Sequence, residues 1–257
     1  MRIGILLLAL LAGNTFAQTP AIPASELRSG VSFGSAELRA MQSDDFANPG
    51  MLWVERGQKL WQTPVGSAGR ACASCHSDAS LALKGVAARY PVVNASDRRV
   101  IDLEARINAC RTSQQKAPAL AAESEDLLAL TAFVAHQSRG MPLAVSISDS
   151  ARAFFDQGRD FYYARHGQMD LSCADCHEHN WGRKLLAETI SQGHPNAYPA
   201  YRLEWQSLGS LARRIRACLF GIRAQMLASD DPQLTALELF LAWRADGLPV
   251  EAPGVRR

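Results

Sequence analysis

Six cysteines stand in 257 residues, and they state one pattern twice: Cys72-Ala-Ser-Cys75-His76 followed by Cys110, and Cys173-Ala-Asp-Cys176-His177 followed by Cys218. A C-x-x-C-H run supplies two thiols that form thioethers to a porphyrin and a histidine that takes one axial iron site, the attachment signature of c-type haem. With six Cys and six His, one such run is expected by chance at roughly 0.3% across the chain, so two are not accidental. A zinc site would need ligands pooled from distant clusters, and a redox C-x-x-C has no need of a following histidine in both copies. Two covalently attached haem c groups are therefore expected, on Cys72, Cys75, Cys173 and Cys176, with His76 and His177 as iron ligands. One cysteine per haem is left over.

Those two extra cysteines match in phase. Val100, Leu103, Ile107 and Cys110 fall at i, i+3, i+7 and i+10, as do Leu208, Leu211, Ile215 and Cys218. This spacing predicts that each cysteine lies on the apolar stripe of an amphipathic helix and faces inward. A buried structural cysteine is the plain reading. Against it, both positions lie between the C-x-x-C-H run and the last helix, where the sixth ligand of a cytochrome c arises, so Cys110 and Cys218 are expected to complete their irons. Iron-bound thiolate is deprotonated and favours the ferric state, which suggests that sulfur itself takes part in the chemistry. Met141 lies after the last helix and is matched by Leu248, and Met226 has no counterpart, so packing roles are expected for both methionines. His136, His166, His179 and His194 also lack repeat-mates; surface or supporting roles are expected for them.

The elements that carry these residues repeat as well. Gly57 and Gly158 each stand 15 residues before the first cysteine of their motif, and Tyr90-Pro91 and Tyr198-Pro199 each begin 20 before the extra cysteine. Between the histidine and the Tyr-Pro pair the second half is longer by seven residues, an insertion within 178–197 close to its haem. First helices are predicted over 51–62 and 151–164, and last helices over 125–137 and 233–245 from their leucine spacing. The fold expected is mainly α: two tandem cytochrome c-like helical domains, each with one covalent haem filling a core that domains this small otherwise lack. The organisation expected is a signal peptide at 1–17, an extended N-terminal arm at 18–47, a first cytochrome c domain at 48–145 and a second at 146–257, with a linker over 142–150.

Arg2, the apolar run 3–11 and Thr15-Phe16-Ala17 have the form of a cleaved secretory leader, and no stretch is long enough to span a membrane. Haem is attached to such motifs outside the cytoplasm, so the periplasm is the expected location. The 27 basic and 25 acidic residues nearly balance, which gives no hint of nucleic-acid binding.

The halves differ around the extra cysteines. Arg106 and Arg214 both precede theirs by four residues, but Arg213, Arg216 and Arg223 align with Ala105, Asn108 and Gln115. An arginine cluster suits a small oxyanion, so the second haem is expected to be the reactive one, with Arg214 and Arg223 binding substrate. Here the chain resembles a known family. The runs Asp44-Asp45-Phe46-Ala47-Asn48-Pro49-Gly50, Tyr198-Pro199-Ala200-Tyr201-Arg202 and Arg214-Ile215-Arg216-Ala217-Cys218 are similar to the A subunit of the SoxAX cytochromes of thiosulfate oxidation, in its dihaem form.

That resemblance implies an L-cysteine S-thiosulfotransferase that joins thiosulfate oxidatively to a cysteine thiol of a SoxYZ-type carrier. It implies His76 and Cys110 on the first iron and His177 and Cys218 on the second. Cys218 would be the catalytic residue, as a persulfide or carrying the sulfur intermediate, and Arg214 would bind substrate. It also implies a SoxX-type monohaem cytochrome subunit as heterodimer partner and a soluble cytochrome c acceptor. Two other readings stay open at this point: a thiosulfate dehydrogenase forming tetrathionate, and a non-enzymatic dihaem electron-transfer protein.

Overall fold

Two helix pairs, one per half of the chain, support the segments that bear the C-x-x-C-H motifs. They are seen in a computed structural model that describes residues 21–257; the leader expected at 1–17 and the first residues of the arm lie outside the described residues. The first half contains α1 (Ala36–Ser43), α2 (Met51–Gln62), α3 (Ala73–His76), α4 (Ala79–Ala82), the hairpin β1 (Val92–Val93) and β2 (Val100–Ile101), α5 (Leu103–Gln114) and α6 (Glu125–His136). The second contains α7 (Arg152–Tyr163), α8 (Cys173–His177), β3 (Lys184–Leu185), β4 (Glu188–Thr189), β5 (Ala200–Arg202), β6 (Ser207–Gly209), α9 (Leu211–Gly221), α10 (Pro232–Arg244) and β7 (Gly254–Arg256). Among the described residues no helix is long and apolar enough to cross a membrane.

α2 packs on α6, and α7 packs on α10. The two glycines picked out by the repeat make this possible. A Cβ on Gly57 would stand 2.1 Å from the Ala129 carbonyl oxygen, and one on Gly158 would stand 2.0 Å from that of Ala236. Only hydrogen at those positions lets the backbones approach so closely. Each last helix is buried on nearly every side, α6 through Leu127–Ala135 and α10 through Leu234 and Ala236–Ala242. All-round burial marks both helices as the central members of their halves.

The cysteine-bearing helices start later than their apolar phase suggests. Asp102 accepts from the Ala105 amide at 2.7 Å and Ser210 from the Arg213 amide at 3.0 Å, so each caps its helix N-terminus. Val100 and Leu208 therefore fall before the caps, in β2 and β6, where they pair with Val93 and Tyr201. From Val100 and from Leu208, two residues of strand and then the cap lead to Leu103 and Leu211, so the apolar i, i+3 spacing runs across a strand–helix boundary.

The halves meet through their own twin segments. Gly140 N donates to Val250 O and Val250 N to Met141 O, both at 2.8 Å; Leu143 N donates to Leu248 O and Gly247 N to Leu143 O, both at 2.9 Å. Equivalent stretches pairing antiparallel with each other is the relation a local two-fold axis produces. The linker expected over 142–150 thus begins inside this seam, with Leu143 buried. The arm is not simply extended: Ser35 caps α1, whose Gln42 donates to Glu251 at 3.0 Å and accepts from the Val255 amide at 3.0 Å. This ties it to β7, which runs parallel to β5.

Candidate functional site

In both halves the first motif thiol lies near the extra cysteine of the same half. Burial raises the Cys173 thiol to about 12, with Cys218 the next contributor; Cys176 shifts upward for the same two reasons. In the first half Cys72 is raised by burial, opposed by a 3.6 Å hydrogen bond from Gln115, with Cys110 adding to the rise. The two thiols of each motif, the histidine ending the same helical turn and the extra cysteine of the same half are the kind of donors that covalent haem c requires. The other buried polar atoms fit it as well. Trp61 Nε1 and Tyr162 OH occupy equivalent places in α2 and α7, and both are buried without a hydrogen-bond partner among the described residues. Apolar rings with an inward-facing donor suit a macrocycle that carries propionates.

The two histidines are held differently. His76 is exposed and its ring lies 5.5 Å from that of Trp61. His177 is enclosed by the insertion: its Nδ1 stands 2.8 Å from the Ser191 carbonyl oxygen, and Gly193, at φ +72°, packs so closely that a Cβ would come within 2.8 Å of His177 Cγ. A carbonyl can only accept, so the ring carries its proton on Nδ1 and leaves Nε2 free to bind a metal. Burial pushes His177 down to about 4, which keeps the ring neutral. The seven extra residues thus form a collar over the second histidine, tipped by the exposed β3–β4 hairpin.

The collar is anchored by a buried ion pair that the sequence reading missed. Arg244 Nε lies 3.2 Å from Glu178 Oε1, with side-chain exposures of 2% and 5%. Arg244 also donates to the Gln192 carbonyl at 3.1 Å and stacks its guanidinium 4.5 Å from the Tyr162 ring centre. The equivalent first-half positions are Gln137 and Ser77. That departure from the repeat was the available signal, hidden because the pair is formed by residues 66 apart.

The four arginines near Cys218 divide. Arg214 is the one coupled to it: the neighbouring Cys218 is the main cause that raises the Arg214 guanidinium above its usual range. Arg213 turns to Trp205, 4.1 Å from its ring centre, and to Glu123 at 3.9 Å. Arg216 reaches Ser229 at 3.1 Å. Arg223 is exposed at a left-handed turn, φ +56°, and its counterpart is Lys116, φ +54°, not Gln115. The amides of Gln168 and Ser67 donate to the carbonyls of Arg223 and Lys116 in the same way. α5 is one residue longer than α9, which shifts the alignment by one. A cation therefore occupies this turn in both halves. Met141 pairs its backbone with Val250 and packs its side chain against Gly85, as a packing residue should.

Comparison with known proteins agrees with this architecture. The family described as SoxA/TsdA, cytochrome c domain, matches residues 56–143. The L-cysteine S-thiosulfotransferase subunit SoxA of Pseudaminobacter salicylatoxidans is 42% identical over 236 residues, 91% of this chain and 82% of the relative. That of Rhodovulum sulfidophilum is 41% identical over 94% of this chain and 85% of its own length. The crystal structure of SoxXA from P. pantotrophus superposes with a TM-score of 0.86 at 34% identity, covering 89% of this chain and 86% of that one. Matched at this identity along nine-tenths of its length, and holding the thiols and histidines of covalent haem c, the chain belongs to the SoxA family of L-cysteine S-thiosulfotransferase subunits.

Proposed function

We propose that the chain is the dihaem subunit of a periplasmic thiosulfate-conjugating cytochrome, with its reaction centre in the second half. Cys72 and Cys75 would hold one haem c, with His76 and Cys110 as iron ligands; Cys173 and Cys176 would hold the other, with His177 and Cys218. When bound, haem c supplies an electron acceptor next to the reacting sulfur. The chain's residues do the rest. Cys218 handles the sulfur chemistry, and the Arg214 guanidinium one helical turn before it receives the thiosulfate oxygens, assisted by Arg223. The net reaction joins the outer sulfur of thiosulfate to a carrier cysteine sulfur, with loss of the thiol proton and two electrons. The carrier is of SoxYZ type, and the electrons leave through a SoxX-type monohaem subunit to a soluble cytochrome c.

The observation that carries this reading is the coupling of Arg214 to Cys218, on a helix whose twin lacks the buried collar around its histidine. Its test is conjugation of thiosulfate to the carrier, followed by mass spectrometry of the carrier. Cys218→Ala is expected to abolish the adduct, and Cys110→Ala to leave it largely intact. Tetrathionate formed from thiosulfate and an acceptor alone, with no carrier, would overturn the reading in favour of a dehydrogenase. Unimpaired transfer by Cys218→Ala would mean an electron-transfer subunit only.

A further inference from the structure

A cavity of about 130 Å³ lies on the seam between the halves, and its walls are twins of one another. The twin pairs Tyr90 and Tyr198, and Leu103 and Leu211, line it, and Thr131 on α6 is matched by Glu238 on α10. The charged residues break this symmetry. Asp102 and Glu104 open α5 where the second half has Ser210 and Ala212, and Glu123 and Glu238 add two more carboxyls. Arg213 and Arg216 of α9 complete the charged lining.

The four acids are not equally provided for. Glu123 is held by the Ser210 hydroxyl and by Arg213, and Asp102 accepts from the Ala105 amide. Glu238 belongs to a residue only 6% exposed and has no hydrogen bond or ion pair among the described residues. Its twin Thr131 is satisfied by the Leu127 carbonyl at 2.8 Å. An unpaired carboxyl in such a place binds a proton more readily than one in water, because ionising it puts an uncompensated charge in a poorly polarisable surrounding. Burial first, and then Asp102, Glu104 and Glu123, push Glu238 well above the usual carboxylate range. Burial and the charges of Asp102 and Glu123 bring Glu104 to about 8. Among the described residues no three acidic, histidine or cysteine side chains are spaced to hold a metal ion.

The cavity is also where both cysteine-bearing helices begin. Glu104 precedes Cys110 by six residues on α5, and Ala212 precedes Cys218 by six on α9. At 1.5 Å per residue that is about 9 Å along each axis, close enough for charge on one group to be felt at the other through protein.

We infer that the Glu104–Glu238 carboxyl cluster takes up a proton from solvent when haem c in the adjoining half is reduced. The balance is simple: ferric iron and a carboxylate gain one electron and one proton and become ferrous iron and a carboxylic acid. The electron is one delivered by thiosulfate conjugation. Adding negative charge at the iron raises the carboxyl's proton affinity, and protonation in turn makes reduction easier. The coupling rests on haem c being bound, not on how many haems there are.

Potentiometric titration of the haem-loaded chain from about pH 6 to about pH 10 tests this. The midpoint potential of at least one haem is expected to fall with pH around 8, with a slope approaching the 59 mV per tenfold change of a one-electron couple. Glu104→Gln and Glu238→Gln should each reduce that slope by at least half while leaving the visible haem spectrum unchanged. A flat wild-type profile would overturn the proposal. So would a slope that survives in both variants, since the titrating group would then be a propionate. Glu104 is half-buried and rim-placed, so its variant carries the test if Glu238→Gln does not fold. Pyridine haemochrome content measured on the same sample reports the haem count separately.

Discussion

Cys110 and Cys218 differ less in their own placement than in the company they keep. Both are half-buried on capped helices, and each lies near the first thiol of its own C-x-x-C motif. The difference lies in Ser191, Gly193, Glu178 and Arg244, which enclose and orient His177 and have no counterpart around His76. The Arg244–Glu178 pair is nearly free of solvent, and removing one partner strands the other's charge. Arg244→Ala is therefore expected to cost about 3–5 kcal/mol, read as a lowered denaturation midpoint. Replacing both with apolar residues of similar volume should recover most of that loss. If the single change costs under about 1 kcal/mol, the pair behaves as a solvated one and does not anchor the collar.

At the level of elements, the two helix crossings and the two capped cysteine helices do the positioning. The α2–α6 and α7–α10 contacts depend on glycine, since a methyl at either position would overlap a carbonyl oxygen. Gly57→Ala and Gly158→Ala should each cost about 1–3 kcal/mol through forced separation of the helices. Because α3 packs on α2 and α8 on α7, each variant is expected to perturb the ferric spectrum of haem c bound at the motif of its own half. The measurement is thermal denaturation together with electron paramagnetic resonance of each variant. An undisturbed melting point would show that the crossing can relax.

The whole molecule is two copies of one plan joined at a seam that belongs to neither. The carboxyls at that seam have a consequence for stability. Glu104 is held near 8 in the folded chain, above its usual value of about 4.5. A group raised on folding contributes stability that is fully present below the unfolded value and lost as pH rises through the folded one. The melting temperature should therefore decline between about pH 5 and pH 9. Glu104→Gln should flatten that decline, and an unchanged profile in the variant would show that other groups dominate.

The haem motifs, both helix pairs and the extra cysteines were legible along the chain because each depends on local spacing: a C-x-x-C-H turn, a leucine period, a glycine at a fixed distance. So too was the insertion as a departure from the repeat. What the linear pattern could not supply was any relation made across distance. Arg213 and Arg216 look like members of one anion site in sequence, yet they turn to Trp205, Glu123 and Ser229. Arg223 looks unique, yet a one-residue difference in helix length gives it Lys116 as its twin. The collar's ion pair, the arm's short helix and the carboxyl cavity all arise where segments far apart in the chain are packed together. Local spacing specifies which groups a turn of backbone presents; only packing determines which of them meet, lose water and so acquire altered chemistry.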